Sequence, residues 1–154
     1  MRRDRLTPVA SPGEHGHRAT ALAAVLMLLI AEGVAAQSPL QQAVELARLA
    51  WLQHDFSGLV ESSDTVRLQF PEGGRAPSVR PAHAARVLEE YLVSANEIAF
   101  ELRNIREASD DHAYAELVRR YVVQRTSDER VETVFLGFRR VDGRWLLREI
   151  RITP

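Results

Sequence analysis

The chain predicts an α+β fold, N-terminal helices packed on a curved antiparallel sheet, and three observations lead there. Helical spacing of apolar residues occurs before residue 95, strand alternation dominates after it, and short turn sequences separate the later strands. Helices grouped ahead of a meander mean α+β, whereas strictly alternating helices and strands would mean a parallel sheet.

Each element has its own reason. Ser38 followed by Pro39 is an N-cap with proline at the first helical position, and Leu40, Val44, Ala47 and Trp51 then recur at helical spacing, predicting a helix over residues 39 to 54. His54-Asp55-Phe56-Ser57-Gly58 breaks it, and Phe56, Leu59 and Val60 predict a short helical turn packed beneath. Val66, Leu68 and Phe70 alternate with Arg67 and Gln69, the period of a half-buried strand, and Pro71 ends it. Residues 71 to 81 hold glycines and prolines and read as a loop. From about Ala82 to Ser94, Ala84, Val87, Leu88, Tyr91 and Leu92 form one apolar helical stripe. Ile98, Phe100 and Leu102 begin the strands; 112 to 126, 130 to 141 and 145 to 152 continue them. Asp142-Gly143 marks a two-residue hairpin.

The first 36 residues read as a signal peptide. Arg2, Arg3, Arg5 and Arg18 precede an apolar run from Ala19 to Ala31, too short for the roughly 20 residues of a membrane-spanning helix. Val34 and Ala36 are the small residues expected before cleavage ahead of Gln37. An exported protein, periplasmic or extracellular, is therefore expected, with 37–154 as one domain and no membrane attachment once the leader is removed. Retention of residues 1 to 36 as an anchor is the alternative.

Composition narrows the function classes. The 154 residues include 20 basic and 21 acidic ones, a net charge of -1, so no basic excess points to nucleic acid. Every basic residue except histidine is arginine, which removes lysine chemistry, and zero cysteine removes thiol nucleophiles, thiolate metal sites and disulfides. Removing the leader leaves 16 arginines against 18 acids. Stability must then come from packing, and a chain of this size buries about two thirds of its extended surface.

Strict alternation over the last two strands places large apolar groups on both faces: Val134, Leu136 and Phe138 against Val131, Phe135 and Val141, and Trp145 and Leu147 against Leu146, Ile150 and Ile152. One face lies under the helices. The other needs cover, either a second copy of the chain or a loop or helix of its own.

The segments His54–Val60, Asp64, Val66, Leu68 and Pro71, the helix Ala82–Leu92 and the hairpin Val141–Trp145 resemble the nuclear transport factor 2-like superfamily, which includes ketosteroid isomerase, scytalone dehydratase and SnoaL-type polyketide cyclases. The signal peptide, the length and the ending Asp142–Ile152 resemble a family of small secreted bacterial proteins of unknown function with this fold. The resemblance implies a cone enclosed by helices and sheet. It also implies where isomerase groups would stand, and those positions are Phe70 for the base, Ala47 for the oxyanion tyrosine and, near the last hairpin, Gly137 for the second acid. None carries the needed group, so a non-enzymatic module is expected.

Its pocket candidates are Trp51, Phe70, Leu88, Tyr91, Phe100, Tyr114 and Glu116. The expected occupant is a small, largely apolar ligand, or else a protein partner on the sheet, with no cofactor and no metal. The alternative is a small lyase or isomerase using Tyr91, Tyr114 or Glu116. Alternation sets Tyr121 on the opposite face from Tyr114 and Glu116, and Glu101 with Arg103 reads as an exposed ion ladder. His54, His83 and His112, without an i,i+4 pair, read as solvated or capping residues.

Overall fold

The computed structural model describes residues 37–73 and 77–154; the signal-peptide expectation lies outside them. The elements follow the expected order: α1 (Pro39–Leu52), α2 (Phe56–Val60), β1 (Val66–Gln69), β2 (Ser78–Val79), α3 (Pro81–Leu92), β3 (Ala95–Ser109), β4 (His112–Val123), β5 (Glu129–Val141) and β6 (Arg144–Thr153). No helix among them is long and apolar enough to cross a membrane.

Local chemistry sets the boundaries. Ser38 and Gln41 cap α1 reciprocally, Ser38 Oγ accepting from the Gln41 amide while the Gln41 side chain accepts from the Ser38 amide. Asp55 caps α2 by accepting from the Gly58 amide at 2.8 Å, and a Cβ on Gly58 would overlap that carboxylate. Asp142 and Gly143 both have positive φ, 50° and 79°, as a tight hairpin with matching twist requires.

The six strands form one sheet in the order β2-β1-β6-β5-β4-β3. It is mixed rather than wholly antiparallel, because β1 returns beside β6 in parallel register. The short β2, within the expected loop, pairs with β1 and extends the edge. Leu40, Val44, Ala47 and Trp51 of α1 and Ala84, Leu88 and Leu92 of α3 join Phe56, Phe100, Leu117, Leu136 and Ile150 in one core on the inner face.

Bulges decide which side chains reach that face. In β6 two residues, from Leu147 to Glu149, oppose the single step from Phe138 to Gly137, so Arg148 stands out of the ladder. Leu147 and Ile150 are consequently both buried, and Trp145 packs partly against the same core. The expected opposition of Trp145 and Leu147 to Ile150 and Ile152 is corrected: one extra residue returns all four to one side. The outer face therefore carries less apolar surface than strict alternation implied. In β3, Ile98, Arg103 and Ala108 are the extra residues of three such irregularities. Of Ile98, Phe100 and Leu102, expected to share a buried face, only Phe100 is buried.

Candidate functional site

Two polar constellations occupy opposite faces of the sheet. The inner one is centred on Arg119 of β4, whose side chain is 1% exposed. Its Nη1 donates to Glu132 Oε2 at 2.7 Å and its Nε to Glu97 Oε1 at 2.8 Å. Arg119 Nη2 lies 2.7 Å from the same Glu97 oxygen but off the line of a hydrogen bond, and Glu97 Oε2 has no partner among the described residues. Tyr91 and Tyr121 both donate to Glu132 Oε1 at 3.0 Å. The guanidinium carbon stands 3.9 Å from the Tyr121 ring centroid, and Tyr91 packs on Phe70 with ring centroids 4.5 Å apart.

The two phenols are held in their protonated form. Burial is the main cause of Tyr91's strongly raised pKa, with the charge and hydrogen bond of Glu132 adding to it. The same causes raise Tyr121, burial again first. At neutral pH both are donors, and the Glu132 carboxylate is engaged at both oxygens. Deeper in the cone Trp51 stacks on Phe100 at 4.7 Å, and both belong with Leu88 to the core.

The outer constellation spans five strands in two adjacent rows. Cross-strand pairing sets Arg106, Tyr114, Gly137, Glu149 and Arg67 in one row. Asn104, Glu116, Phe135, Arg151 and Gln69 form the next. A groove of about 510 Å³ lies over them. Gly137, in the adjoining depression, is buried beside the groove residues, and a Cβ there would come within 3.0 Å of Glu149 Cβ and 3.2 Å of the Tyr114 ring. The missing side chain lets that ring lie across the strand. Arg151 sits over Phe135, its guanidinium carbon 4.5 Å from the centroid.

The seven expected pocket residues are thus divided. Trp51, Leu88 and Phe100 come together as core, Phe70 and Tyr91 meet beside the inner cluster, and Tyr114 and Glu116 lie on the far side of the sheet. Their expected place in one cone is corrected by the pleat, because β4 turns Ala113, Ala115 and Leu117 inward and the residues between them outward. Of the three positions compared with the isomerase, Ala47 is buried in α1, Phe70 packs on Tyr91, and Gly137 opens outward. His112 is exposed, with Nδ1 2.8 Å from Asp111 Oδ1.

Glu97, Glu132 and the burial of Arg119 escaped the sequence reading. Arg119 and Tyr121 share the parity of Ala113, Ala115 and Leu117, and Glu132 that of Val134 and Leu136, which was the available signal. Glu97 had none, since only the bulge at Ile98 turns it to the same side as Phe100, three residues on.

No family model and no curated protein sequence matches the chain. Solved structures do match in shape. An NTF2-like protein of unknown function from Pseudomonas putida superposes with a TM-score of 0.59 at 19% identity, over 79% of this chain and 87% of that one. A DUF4783 family protein from Bacteroides uniformis gives 0.59 at 14% identity, over 71% and 94%. A putative polyketide cyclase from Xanthomonas campestris gives 0.56 at 20%, over 75% and 90%. The fold is therefore that of the nuclear transport factor 2-like α+β cones.

Proposed function

We propose that the protein is an exported, non-catalytic binding module whose ligand meets the outer face of the sheet. One observation carries this reading. The ionisable groups inside the cone engage one another, whereas Arg106 and Arg151 outside have no carboxylate partner among the described residues. Paired groups hold a fold together, and unpaired ones in a groove are free to recognise something. Export rests on the arginine-led, apolar leader ahead of Gln37. Nuclear magnetic resonance screening of the full chain against small-molecule fragments tests the binding face. Shifts gathering at Tyr114, Phe135 and Gly137 are expected, and shifts gathering at Phe70, Tyr91 and Glu132 overturn the reading. Mass spectrometry of the exported product tests cleavage before Gln37.

A second reading has one observation in its favour, the Tyr91–Glu132 contact beside Phe70 in a fold that one similar structure, the putative polyketide cyclase, also has. It would make the pair acid and base of a lyase or isomerase. Such a role requires Glu132 to release one of its three donors before it accepts a substrate proton.

A further inference from the structure

We infer that the outer groove takes a small organic anion, a carboxylate carried on a flat, apolar body. This rests on the outer face being the binding face.

Charge is the first argument. The groove sets Arg67, Arg106 and Arg151 against Glu116 and Glu149, a net positive lining on a chain whose net charge is -1. Glu149 is engaged, 3.8 Å from Arg67. The adjoining depression has the same balance, Arg67, Arg139 and Arg148 against Asp64 and Glu149, but its own arginines have acids beside them, Arg148 2.9 Å from Asp64 and Arg139 4.0 Å from Asp111. With Arg67 and Glu149 set against each other, Arg106 on β3 and Arg151 on β6 share the groove with one remaining acid, Glu116, which leaves a net single positive charge, and no ion pair holds either arginine among the described residues.

Geometry is the second. The Arg151 guanidinium lies over the Phe135 ring and its Nε is buried without a hydrogen-bond partner among the described residues, so the terminal Nη1 and Nη2 form the edge left to a ligand. A guanidinium held by its face presents its edge, the arrangement that receives a carboxylate through two parallel hydrogen bonds. The neutral donors of Tyr114 and Asn104 lie in the same groove.

Shape is the third. Tyr114, laid across Gly137, and Phe135 in the next row contribute two aromatic rings to the groove lining. A volume of about 510 Å³ is that of a small-molecule site. Two aromatic rings in a groove that also holds two arginines suit an aromatic carboxylate better than a bare inorganic ion.

Calorimetric titration of the full chain with benzoate, benzylamine and inorganic phosphate tests the assignment, with resonance mapping to place the site. Benzoate is expected to bind at Tyr114 and Phe135, and benzylamine and phosphate at least roughly tenfold more weakly, the equivalent of one charge-assisted hydrogen bond. Arg151→Gln should weaken benzoate about tenfold with an unchanged melting temperature, and Glu116→Gln should strengthen it by removing a competing acid. Equal binding of benzoate and benzylamine, or an Arg151→Gln protein that binds benzoate normally, overturns the inference. Phosphate binding as tightly as benzoate overturns the flat-body assignment. Failure of benzoate to bind, while other fragments still gather at the outer face, sinks this inference alone; benzoate shifts at Phe70 and Tyr91 sink the proposed function as well.

Discussion

Arg119 lies on the inner face between two carboxylates and against a tyrosine ring. Arg151, two strands away on the outer face, lies over a phenylalanine ring with no ion-pair partner among the described residues. Both guanidinium groups are stacked on an aromatic, and both come from strands whose sequence mixes charge with apolar residues. Burial makes the difference. Removing an ion from water costs several kcal/mol, so a sealed arginine is tolerated only with its counter-charges in place. A half-exposed arginine keeps part of its hydration and can wait for a partner. The same residue type thus serves cohesion on one face and recognition on the other.

The sharpest way to break this contrast is to remove the central charge on each side. Arg119→Leu leaves Glu97 and Glu132 buried and facing each other, and a loss of about 3–5 kcal/mol in urea unfolding is expected, enough to prevent folding in a marginal domain. Replacing Arg119, Glu97 and Glu132 together by apolar residues of similar volume should recover most of that loss, since no uncompensated charge is left inside. Recovery that fails to appear would mean the cluster contributes more than mutual neutralisation.

A smaller effect is expected at Tyr91. Tyr91→Phe removes one of two phenol donors to Glu132 and should cost about 1 kcal/mol. It should also change the alkaline limb of stability. Both phenols have pKa values raised above the unfolded value of about 10, so the folded state holds its protons longer than the unfolded one. Their contribution is fully present below pH 10 and is lost as pH rises beyond it. Urea midpoints between pH 8 and 11 should fall, and fall less steeply in Tyr91→Phe; parallel slopes would contradict the assignment.

Gly137→Ala acts on the outer face. Its Cβ meets Glu149 Cβ at 3.0 Å, an atom that cannot swing away, so overpacking of about 1 kcal/mol is expected together with displacement of the Tyr114 ring. Tyrosine resonances report the displacement directly. The smallest expected change is Arg151→Gln, within about 0.5 kcal/mol of the parent because no ion pair holds its charge among the described residues. A larger loss would make Arg151 a structural residue and erase the contrast between the faces.

How far the sequence reaches is itself uneven across the molecule. Element order, the cap at Ser38, and the Asp142-Gly143 hairpin were legible because they depend on neighbours in sequence. What was lost was lost to bulges. Arg148 and Ile98 each add one residue to one strand, and a period-2 pattern has no memory of such an insertion: beyond it every prediction of in and out reverses. The burial of Arg119 and Glu132 was illegible for another reason. Charged residues are read as solvent-facing until the partners that neutralise them are known, and those partners stand on three different strands.

The irregular β3 has an effect that reaches past the single molecule. It is 15 residues long and forms one margin of the sheet, with hydrogen-bonding groups along its free side. A straight margin of that length is a template on which further chains assemble edge to edge, the first step towards fibrils. Three inserted residues interrupt the even spacing that another strand would need, at intervals of five residues. With no disulfide to restrain it, the chain has its guard against self-assembly written into the backbone of its most vulnerable strand.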